Sequence, residues 1–354
     1  MKIWMPFLAA GTGADVSTRY LAEGLRGRGH DVVLQAFSKR FEPAPWLLKG
    51  TAAPVGCDAI ITNTWNGFAF ARRGIPMVTV DRLFVLDPAL SPYKSTAQKI
   101  YHNALIRSFV RRSALAADAV VAVSQYTADV FARQLALPHP QVILNAVDTD
   151  FFRPSGETGR PRAGRPWRLL YVGTLSRRKG ADLLAPIMRA LGSDYELRFT
   201  GHSSAAVLGK NLPANMHPLG SLSQEEVLAE YRSADLLVFP SRGEGLARAV
   251  MESLACGTPV VVTKASSMPE AVDETVGRLF SPDDTSEIVA AVRSITTSTE
   301  TLGSLSANAR QRALSRFALD RMLDDFEGLL STLEAGGKHR SPQVPDNDAW
   351  PFRR

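Results

Sequence analysis

Short runs of apolar residues alternate with helix-like segments along almost the whole chain. The apolar runs span four to eight residues and are bounded by turn residues, as is typical of strands buried in a sheet. Strands that alternate with helices predict parallel sheets with crossover helices, so we expect the α/β class. The predicted strands are 2–9, 31–37, 59–63, 77–81, 119–124 and 141–145, then 168–173, 196–200, 236–240 and 260–263. The predicted helices are 14–28 and 93–116, then 181–191, 224–232, 246–255, 286–295, 301–317 and 319–333.

The chain of 354 residues is long enough for two domains, and one stretch separates them. Residues 153–166 are rich in Pro, Gly and charged residues and poor in apolar ones, which predicts a linker. We therefore expect domains at 1–153 and 167–317, joined by the linker at 154–166. Residues 336–354 have neither a helical nor a strand period and are expected to form a tail.

The excess positive charge lies entirely in the first half of the chain, residues 1–153. This half holds 17 Lys and Arg against 11 Asp and Glu, whereas the remainder, the second half, holds 24 against 24. A basic half favours an anionic partner, but no groove-reading module is recognisable, so we expect no nucleic acid. Two cysteines are too few for a disulfide framework and fit a reducing cytoplasm. No apolar run approaches the roughly 18 residues that span a bilayer, so any membrane contact is expected to be peripheral.

The main candidate for a functional site is the segment 240–262, in which a predicted strand, a glycine-bearing turn and a predicted helix follow one another. The free backbone N–H groups and the positive end of such a helix form a phosphate-binding site. Glu244 precedes the helix and Glu252 follows eight residues later, on the order of 10 Å away. This spacing lets one carboxylate meet a sugar and the other a ribose across a diphosphate. Taken alone, the pair also fits a helix-start acid and a solvated helical residue.

The same segment resembles the Glu-x7-Glu region of family-four retaining glycosyltransferases, and residues 255–261 are similar to the continuation of that region. The resemblance extends over roughly residues 1–333 and is strongest over 167–263. It implies the GT-B fold, in which two Rossmann-like domains face each other across a cleft. It also implies a C-terminal helix at 318–335, which we expect to cross back to the first domain.

The resemblance assigns roles within the Glu-x7-Glu segment. It implies that Glu244, together with the backbone of Gly245, Leu246 and Ala247, binds the transferred sugar of the donor. It implies further that Glu252 binds the ribose hydroxyls of the nucleotide. These residues are therefore the first candidates for donor binding, and Glu244 is also a candidate catalytic residue.

A second segment, which follows the seventh predicted strand, carries three consecutive cations before a helix. The guanidinium groups of arginine and the ammonium group of lysine can stabilise a departing diphosphate without a metal. The other interpretation is a turn whose cations are solvated. The segment resembles the family's phosphate loop, with Gly173 at its start and with Arg178 and Lys179 at the matching positions. Thr174 stands where many members have an arginine, so the roles of Arg177 and Arg178 stay open. The resemblance implies that all three cations and Gly173 bind the donor, and that Arg178 and Lys179 are catalytic.

In the first half, Gly11, Thr12 and Gly13 follow the first predicted strand and open a helix, so that their backbone can approach a ligand closely. As a dinucleotide fingerprint the run is incomplete, because Val16 stands at the place of the third glycine, and a dehydrogenase is disfavoured. The family has a comparable loop that faces the donor phosphate and the acceptor. This implies that Gly13 meets the donor and that all three residues line the acceptor site.

Further candidates lie at the carboxyl ends of predicted strands. Asp81 stands where many family members have a histidine near the acceptor and the sugar, and Arg82 follows it. The resemblance implies an acceptor site here with Asp81 as a catalytic residue, while a strand-end cap paired with Arg82 is the alternative. His202 follows the strand at 196–200 and is either a donor contact or a structural histidine. The family's Gly-Gly-x-Pro-Glu run reads Ser-Ser-Met-Pro-Glu at 266–270, which removes the glycine backbones from that place.

Two remaining patterns concern a membrane and a metal. The predicted helix at 93–116 carries five cations and no acid, and its residues 94–112 have apolar residues interleaved with the cations. Such a basic amphipathic helix either touches an anionic membrane or acceptor, or packs on the sheet with its cations solvated. Asp148 and Asp150 match the Asp-x-Asp manganese site of another glycosyltransferase fold, but acids before a linker normally make turns, and we expect no metal site.

Together these features predict a cytoplasmic retaining glycosyltransferase that needs no metal cofactor. Its donor is a nucleotide diphosphate sugar, and its acceptor is a small molecule, a glycan or a lipid-linked molecule with a hydroxyl group. The resemblance implies front-face substitution, in which the departing phosphate helps to deprotonate that hydroxyl. The alternatives are another sugar enzyme of this fold, such as a phosphorylase or a nucleotide-sugar epimerase, and a sugar-nucleotide sensor without turnover. Product that forms only with a separate acceptor distinguishes the first alternative, and slow donor hydrolysis argues against the second.

Overall fold

The structure is a computed structural model that describes residues 1–11, 13–155, 165–201, 205–209 and 211–336. The strands of this described part form two six-stranded sheets in which every strand pair is parallel. The α/β class that the alternating pattern predicts is thereby confirmed.

The first sheet has the strand order β2-β1-β3-β4-β5-β6. Its strands are β1 Lys2–Ala9, β2 Asp31–Ser38, β3 Ala59–Asn63, β4 Met77–Asp81, β5 Ala119–Ala122 and β6 Gln141–Val142. Its helices are α1 Gly13–Gly27, α2 Thr96–Tyr101, α3 Arg107–Ala116 and α4 Gln125–Leu135. The central strands β1, β3 and β4 are buried along most of their length, which explains why they read as continuous apolar runs.

The second sheet has the strand order β12-β11-β10-β7-β8-β9. Its strands are β7 Trp167–Tyr171, β8 Tyr195–Thr200, β9 Met216–Gly220, β10 Leu236–Phe239, β11 Val260–Thr263 and β12 Gly277–Phe280. The helices of this half are α5 Ala181–Leu191, α6 Ala205–Leu208, α7 Gln224–Ser233, α8 Arg248–Ala255, α9 Met268–Ala271, α10 Thr285–Thr296, α11 Thr299–Arg316 and α12 Leu319–Gly336.

Two strands, β9 and β12, were not predicted from the hydrophobic pattern. Both are edge strands of the second sheet. Pro218 lies within β9, and an edge position tolerates a proline because one side of the strand makes no ladder hydrogen bonds. The first sheet shows a related effect at its own edge, where β6 has two residues instead of the five predicted at 141–145. Edge strands need less apolar sequence than central ones, so their pattern is weak.

The helix predicted at 93–116 forms over 96–116 and starts three residues later than predicted. A 3₁₀ segment at Pro88–Tyr93 contains Pro92, and a capping box at Ser95 starts α2 afresh. A π-helical turn at His102–Ile106 then joins α2 to α3 within one continuous helix, because the backbone at both ends of the turn stays right-handed helical. Helix α4, which the sequence analysis did not predict, begins where Ser124 accepts a hydrogen bond from the N–H of Thr127.

The C-terminal helix α12 packs against α1 of the first half. Arg28 at the end of α1 forms ion pairs with Asp320 at 2.9 Å, Asp324 at 2.7 Å and Glu327 at 3.1 Å. The largest apolar cluster continues from the first sheet through α12 to α8 and β10 of the second sheet. Apolar packing therefore joins the two halves on the side of this helix.

Candidate active site

The turn that follows β10 holds Glu244 in a buried position at the carboxyl edge of the second sheet. The Glu244 carboxylate accepts a hydrogen bond from Ser241 Oγ at 2.6 Å, and only 8% of the residue is exposed. Its N–H donates to Ser266 Oγ at 3.0 Å, and its carbonyl oxygen accepts from Ser267 Oγ at 3.2 Å. Helix α8 begins at Arg248, two residues later than predicted, so the turn is held by side chains rather than by helical hydrogen bonds.

Two cations from the loop after β7 converge on this turn. Lys179 Nζ lies 2.6 Å from Glu244 Oε1. Arg178 Nη1 donates to the carbonyl oxygen of Gly243 at 2.6 Å and lies 3.4 Å from Glu244 Oε1. The Arg177 side chain is 77% exposed and pairs with a carboxylate at 3.9 Å. The structure thus distinguishes the two arginines that the sequence left equivalent, because Arg178 is the one that reaches Glu244.

Close backbone packing holds the cation loop against the end of β10. Gly180 has a φ of +70°, and a Cβ at this position would overlap the carbonyl oxygen of Pro240. Both the left-handed conformation and the close approach therefore require glycine. The Tyr171 hydroxyl donates to the carbonyl oxygen of Thr174 at 3.0 Å, which fixes the other end of the loop. Lys179 is consequently held in place from both sides.

The electrostatics of the site favour an anionic ligand. Burial alone would raise the pKa of Glu244, but the charges of Lys179 and Arg178 outweigh it and lower that pKa. Burial also lowers the pKa of Lys179, and the attraction of Glu244 offsets only part of this effect. One buried carboxylate thus faces two cations, and the remaining positive charge suits a diphosphate.

Glu252 lies on α8 and has partners on both sides. Its carboxylate accepts a hydrogen bond from the Tyr231 hydroxyl at 3.1 Å and from Arg248 Nη2 at 2.8 Å. The Arg248 guanidinium lies 4.8 Å from the ring centre of Tyr20, which belongs to the first half. The i, i+4 spacing of Arg248 and Glu252 is visible in the sequence, whereas Tyr231 carries no such signal. His202, the remaining donor candidate, lies outside the described residues.

Asp81 and Arg82 lie at the carboxyl end of β4, opposite the Glu244 turn. A Cβ at Gly245 would overlap the carbonyl oxygen of Arg82, so the two halves touch here. Asp81 is 2% exposed and accepts a hydrogen bond from Thr64 Oγ1 at 2.8 Å. Burial raises the pKa of Asp81 to about 6 and lowers the pKa of Arg82 to about 10. A carboxyl group that titrates near neutral pH can accept or donate a hydrogen bond to a hydroxyl group.

Replacing Asp81 with asparagine is expected to raise the free energy of unfolding at neutral pH. The folded-state pKa of about 6 exceeds the ordinary 3.8, so ionisation of Asp81 destabilises the fold as the pH rises between these values. The difference corresponds to about 2 to 3 kcal/mol above the folded-state pKa. Denaturant unfolding at acidic and neutral pH measures the effect: we expect the variant to gain stability over the wild type only at neutral pH. Equal gains at both pH values would contradict the buried carboxylate as the cause.

The glycine loop after β1 is stabilised by Asp15. The Asp15 carboxylate accepts hydrogen bonds from the N–H groups of Ala10 at 2.8 Å and Gly11 at 2.6 Å. Helix α1 then begins at Gly13, one residue before the predicted start. Thr12 lies outside the described residues. The loop therefore has a local acid that stabilises its amide groups, a role the sequence analysis did not predict.

The cations of residues 94–112 mostly have partners within the protein. Four of the five do so: Lys94 with the carbonyl oxygen of Val85, Arg107 with that of Gln134, Arg111 with that of Leu135, and Arg112 with the ring of Phe68. Arg107 and Arg111 thus bind the last carbonyls of α4, a common use of arginine at a helix C-terminus. These contacts explain the cations without a membrane, and the membrane contact stays a prediction.

The Asp-x-Asp run before the linker forms a turn. Asp148 Oδ1 accepts hydrogen bonds from the N–H groups of Asp150 at 3.0 Å and Phe151 at 2.9 Å. This is the hydrogen-bonding pattern expected for an acid that caps a turn. Within the described ranges, no group of three or more His, Cys, Asp or Glu side chains converges in a way that could hold a metal ion. Metal independence of the reaction stays a prediction.

Two parallel α/β sheets whose carboxyl edges meet at a cation-lined turn are the arrangement expected of the GT-B fold. Residues 37–151 match the family described as Glycosyltransferase Family 4, and residues 159–312 match the family described as Glycosyl transferases group 1. The chain belongs to these glycosyltransferases, and the resemblance seen in the sequence is confirmed at the level of the family.

Individual relatives agree with this classification. An MMP alpha-(1->4)-mannosyltransferase of Mycolicibacterium hassiacum is 28% identical over 268 residues, which cover 70% of this chain and 63% of the relative. The match thus spans less than two thirds of that relative's length. Sucrose-phosphate synthase from Thermosynechococcus elongatus has a TM-score of 0.80 at 19% identity, covering 95% of this chain and 100% of the other. The Anabaena protein HepE in complex with UDP has a TM-score of 0.76 at 19% identity, covering 94% and 100%. At these identities the structural likeness concerns the fold.

Proposed function

We propose that this chain is a retaining glycosyltransferase that moves a sugar from a nucleotide diphosphate sugar to a hydroxyl acceptor. The observation that carries the proposal is the convergence of Lys179 and Arg178 on buried Glu244, opposite Asp81 of the other half. A site with excess positive charge beside a carboxylate suits a sugar diphosphate. The similarly folded Anabaena protein HepE forms a complex with UDP, which supports a nucleotide as part of the donor.

The donor would lie along the carboxyl edge of the second sheet. Arg178 and Lys179 bind its diphosphate, with Gly173 and Arg177 at the rim of the loop. Glu244 and the backbone of 245–247 bind the sugar. Glu252 binds the ribose; its carboxylate is already oriented by hydrogen bonds, which lowers the entropy cost of recognition.

The reaction would proceed by front-face substitution. The bond between the sugar C1 and the diphosphate oxygen breaks, and Lys179 and Arg178 stabilise the charge that develops on that oxygen. The acceptor oxygen bonds to C1 on the same face, and its proton passes to the departing phosphate. Glu244 orients the sugar and stabilises the cationic character of C1 in the transition state. The configuration at C1 is thereby retained.

The acceptor would be bound by the first half, near Asp81, Arg82 and the glycine loop at 11–13. The positive charge of this half favours an acceptor that carries an anionic group or belongs to an anionic membrane surface. Within the described ranges, no helix is both long and apolar enough to cross a bilayer. We propose a cytoplasmic enzyme with peripheral contact through 94–112. Co-sedimentation with anionic vesicles that is unchanged after removal of Lys99 and Ile100 would argue against that contact.

A nucleotide panel tests the donor class directly. We expect one of UDP, GDP, ADP and TDP to raise the melting temperature, because a ligand that binds only the folded state stabilises it. The shift should persist with a chelator present, since two cations replace the metal. A panel without any shift would contradict a nucleotide diphosphate donor, and a shift lost on chelation would contradict metal independence.

Turnover assays separate this function from the two alternatives. A transferase releases nucleotide quickly only when a separate acceptor is supplied, whereas an epimerase converts the donor alone and a phosphorylase requires phosphate. A sensor binds the nucleotide sugar and releases no nucleotide, even slowly at saturating donor. Slow hydrolysis of the donor that disappears in Glu244→Ala would therefore exclude the sensor.

A further inference from the structure

The segment that follows β11 binds the main chain of Glu244 with two serine hydroxyls. Ser266 Oγ accepts the N–H of Glu244 at 3.0 Å, and Ser267 Oγ donates to the carbonyl oxygen of Glu244 at 3.2 Å. Ser267 is completely buried. Both peptide groups of Glu244 thus have side-chain partners at the positions where the related family carries two glycines.

The backbone at Ser266 lies in a conformation that favours glycine. Its φ is +50°, in the left-handed region that residues other than glycine rarely adopt. Strained residues of this kind persist where the surrounding structure holds them and often occur at functional sites. The Ser266 hydroxyl provides such a hold through its hydrogen bond with Glu244.

The same segment reaches across the cleft at its other end. The Glu270 carboxylate accepts hydrogen bonds from the N–H groups of Gln125 at 2.8 Å and Tyr126 at 2.7 Å. These are the first two residues of α4 in the first half, where free N–H groups and the helix dipole favour a carboxylate. Glu270 therefore joins the second half to the first at the cleft.

A single turn of helix connects the two contacts. Ser267 is the N-cap of α9, and the N–H of Glu270 donates to the carbonyl oxygen of Ser267 at 3.1 Å. The N–H of Val272 closes the turn on Met268 at 3.0 Å. One hydrogen-bonded turn therefore lies between the contact at Glu270 and the contacts at Ser266 and Ser267.

We propose that residues 266–270 are a positioning segment that couples contact between the two halves to the placement of Glu244. When Glu270 binds the start of α4, Ser266 and Ser267 hold the Glu244 peptide in the position seen here. When the halves separate, the segment is released and Glu244 loses that support. The proposal rests on the proposed function, because it assigns Glu244 a task during transfer.

Kinetics of single and double variants test the coupling. The ligands are the nucleotide that the panel identifies and the corresponding nucleotide diphosphate glucose. We expect Glu270→Gln and Ser267→Ala each to lower kcat by about 10-fold while the nucleotide Kd stays within about twofold. The double variant should be little slower than either single variant, because both interrupt one connection. Glu274→Gln, an exposed carboxylate of the same half, is the matched control and should leave kcat unchanged. If the fold losses in kcat of the two single variants multiplied in the double variant, the proposed coupling would be wrong.

Hydrogen exchange tests the coupling without any substrate, so that its failure is distinct from failure of the proposed function. In Glu270→Gln we expect faster exchange at the amides of Gln125 and Tyr126 and also at the amide of Glu244. Ser266→Gly should speed exchange at Glu244 without loss of melting temperature, because glycine fits this backbone. Unchanged exchange at Glu244 in Glu270→Gln would overturn the proposal even if the enzyme turns over its donor.

Discussion

Replacing Lys179 with alanine is expected to lower kcat for sugar transfer by about 100- to 1,000-fold. Lys179 is the cation closest to Glu244, with Nζ 2.6 Å from Oε1, and it lies at the end of a loop that packing holds in place. Its ammonium group is preorganised to stabilise the charge of the leaving diphosphate. The loss should appear in kcat and also as weaker nucleotide affinity, which calorimetry with the panel nucleotide measures.

The same variant leaves Glu244 buried without its nearest cation, so its stability must be separated from its activity. Breaking one side of a buried ion pair destabilises a protein because the remaining charge is unpaired. The double variant Lys179→Ala with Glu244→Gln should recover melting temperature without recovering rate. Lys264→Ala, an exposed lysine of the same half, serves as the control. A Lys179→Ala enzyme with unchanged kcat would show that the phosphate assignment is wrong.

Replacing Glu244 with glutamine is expected to lower kcat by at least about 100-fold while the nucleotide Kd changes by less than about threefold. Glutamine keeps the size of the side chain and its hydrogen bond from Ser241 but removes the charge that faces the sugar. This pattern differs from that of Lys179→Ala, which weakens nucleotide binding as well as lowering kcat. Nucleotide titration and initial rates on the same preparation distinguish the two.

The control for Glu244→Gln is again the exposed Glu274→Gln, which removes an equal charge from the same half. Any general effect of charge on the donor site would appear in both variants. If Glu244→Gln weakened nucleotide binding as strongly as Lys179→Ala does, Glu244 would act by positioning the loop of Arg178 and Lys179 and not by contact with the sugar. Rates equal to those of the wild type would exclude Glu244 from the reaction.

The elements that could be predicted from the sequence are those with a complete local signal. Central strands such as β1, β3 and β4 are buried on both faces, so their apolar runs have the length of the strand itself. The edge strands β9 and β12 carry only two apolar residues each, so their sequences do not stand out as apolar runs. Helix α4 was missed for a related reason, since its start depends on a capping serine that the hydrophobic pattern does not show.

The candidate site divides in the same way. The family resemblance predicted Glu244, Arg178 and Asp81 as site residues. Each lies at or after the end of a predicted strand, and the carboxyl ends of parallel strands meet at one edge of a sheet. Their neighbours could not be found in this way. Tyr231 reaches Glu252 from another helix, and no local pattern predicts that contact.

By itself the sequence determined the class of fold and the family, and it indicated the strand ends that carry the candidate site, because each depends on residues close together in the chain. Only the tertiary structure decided that Arg178, and not Arg177, meets Glu244, a contact between residues 66 positions apart. It also decided that Glu270 binds the start of α4, 144 positions from Tyr126. The first contact depends on the pairing of β7 with β10 in the second sheet, and the second on how the two halves face each other. Both arrangements result from packing over the whole molecule.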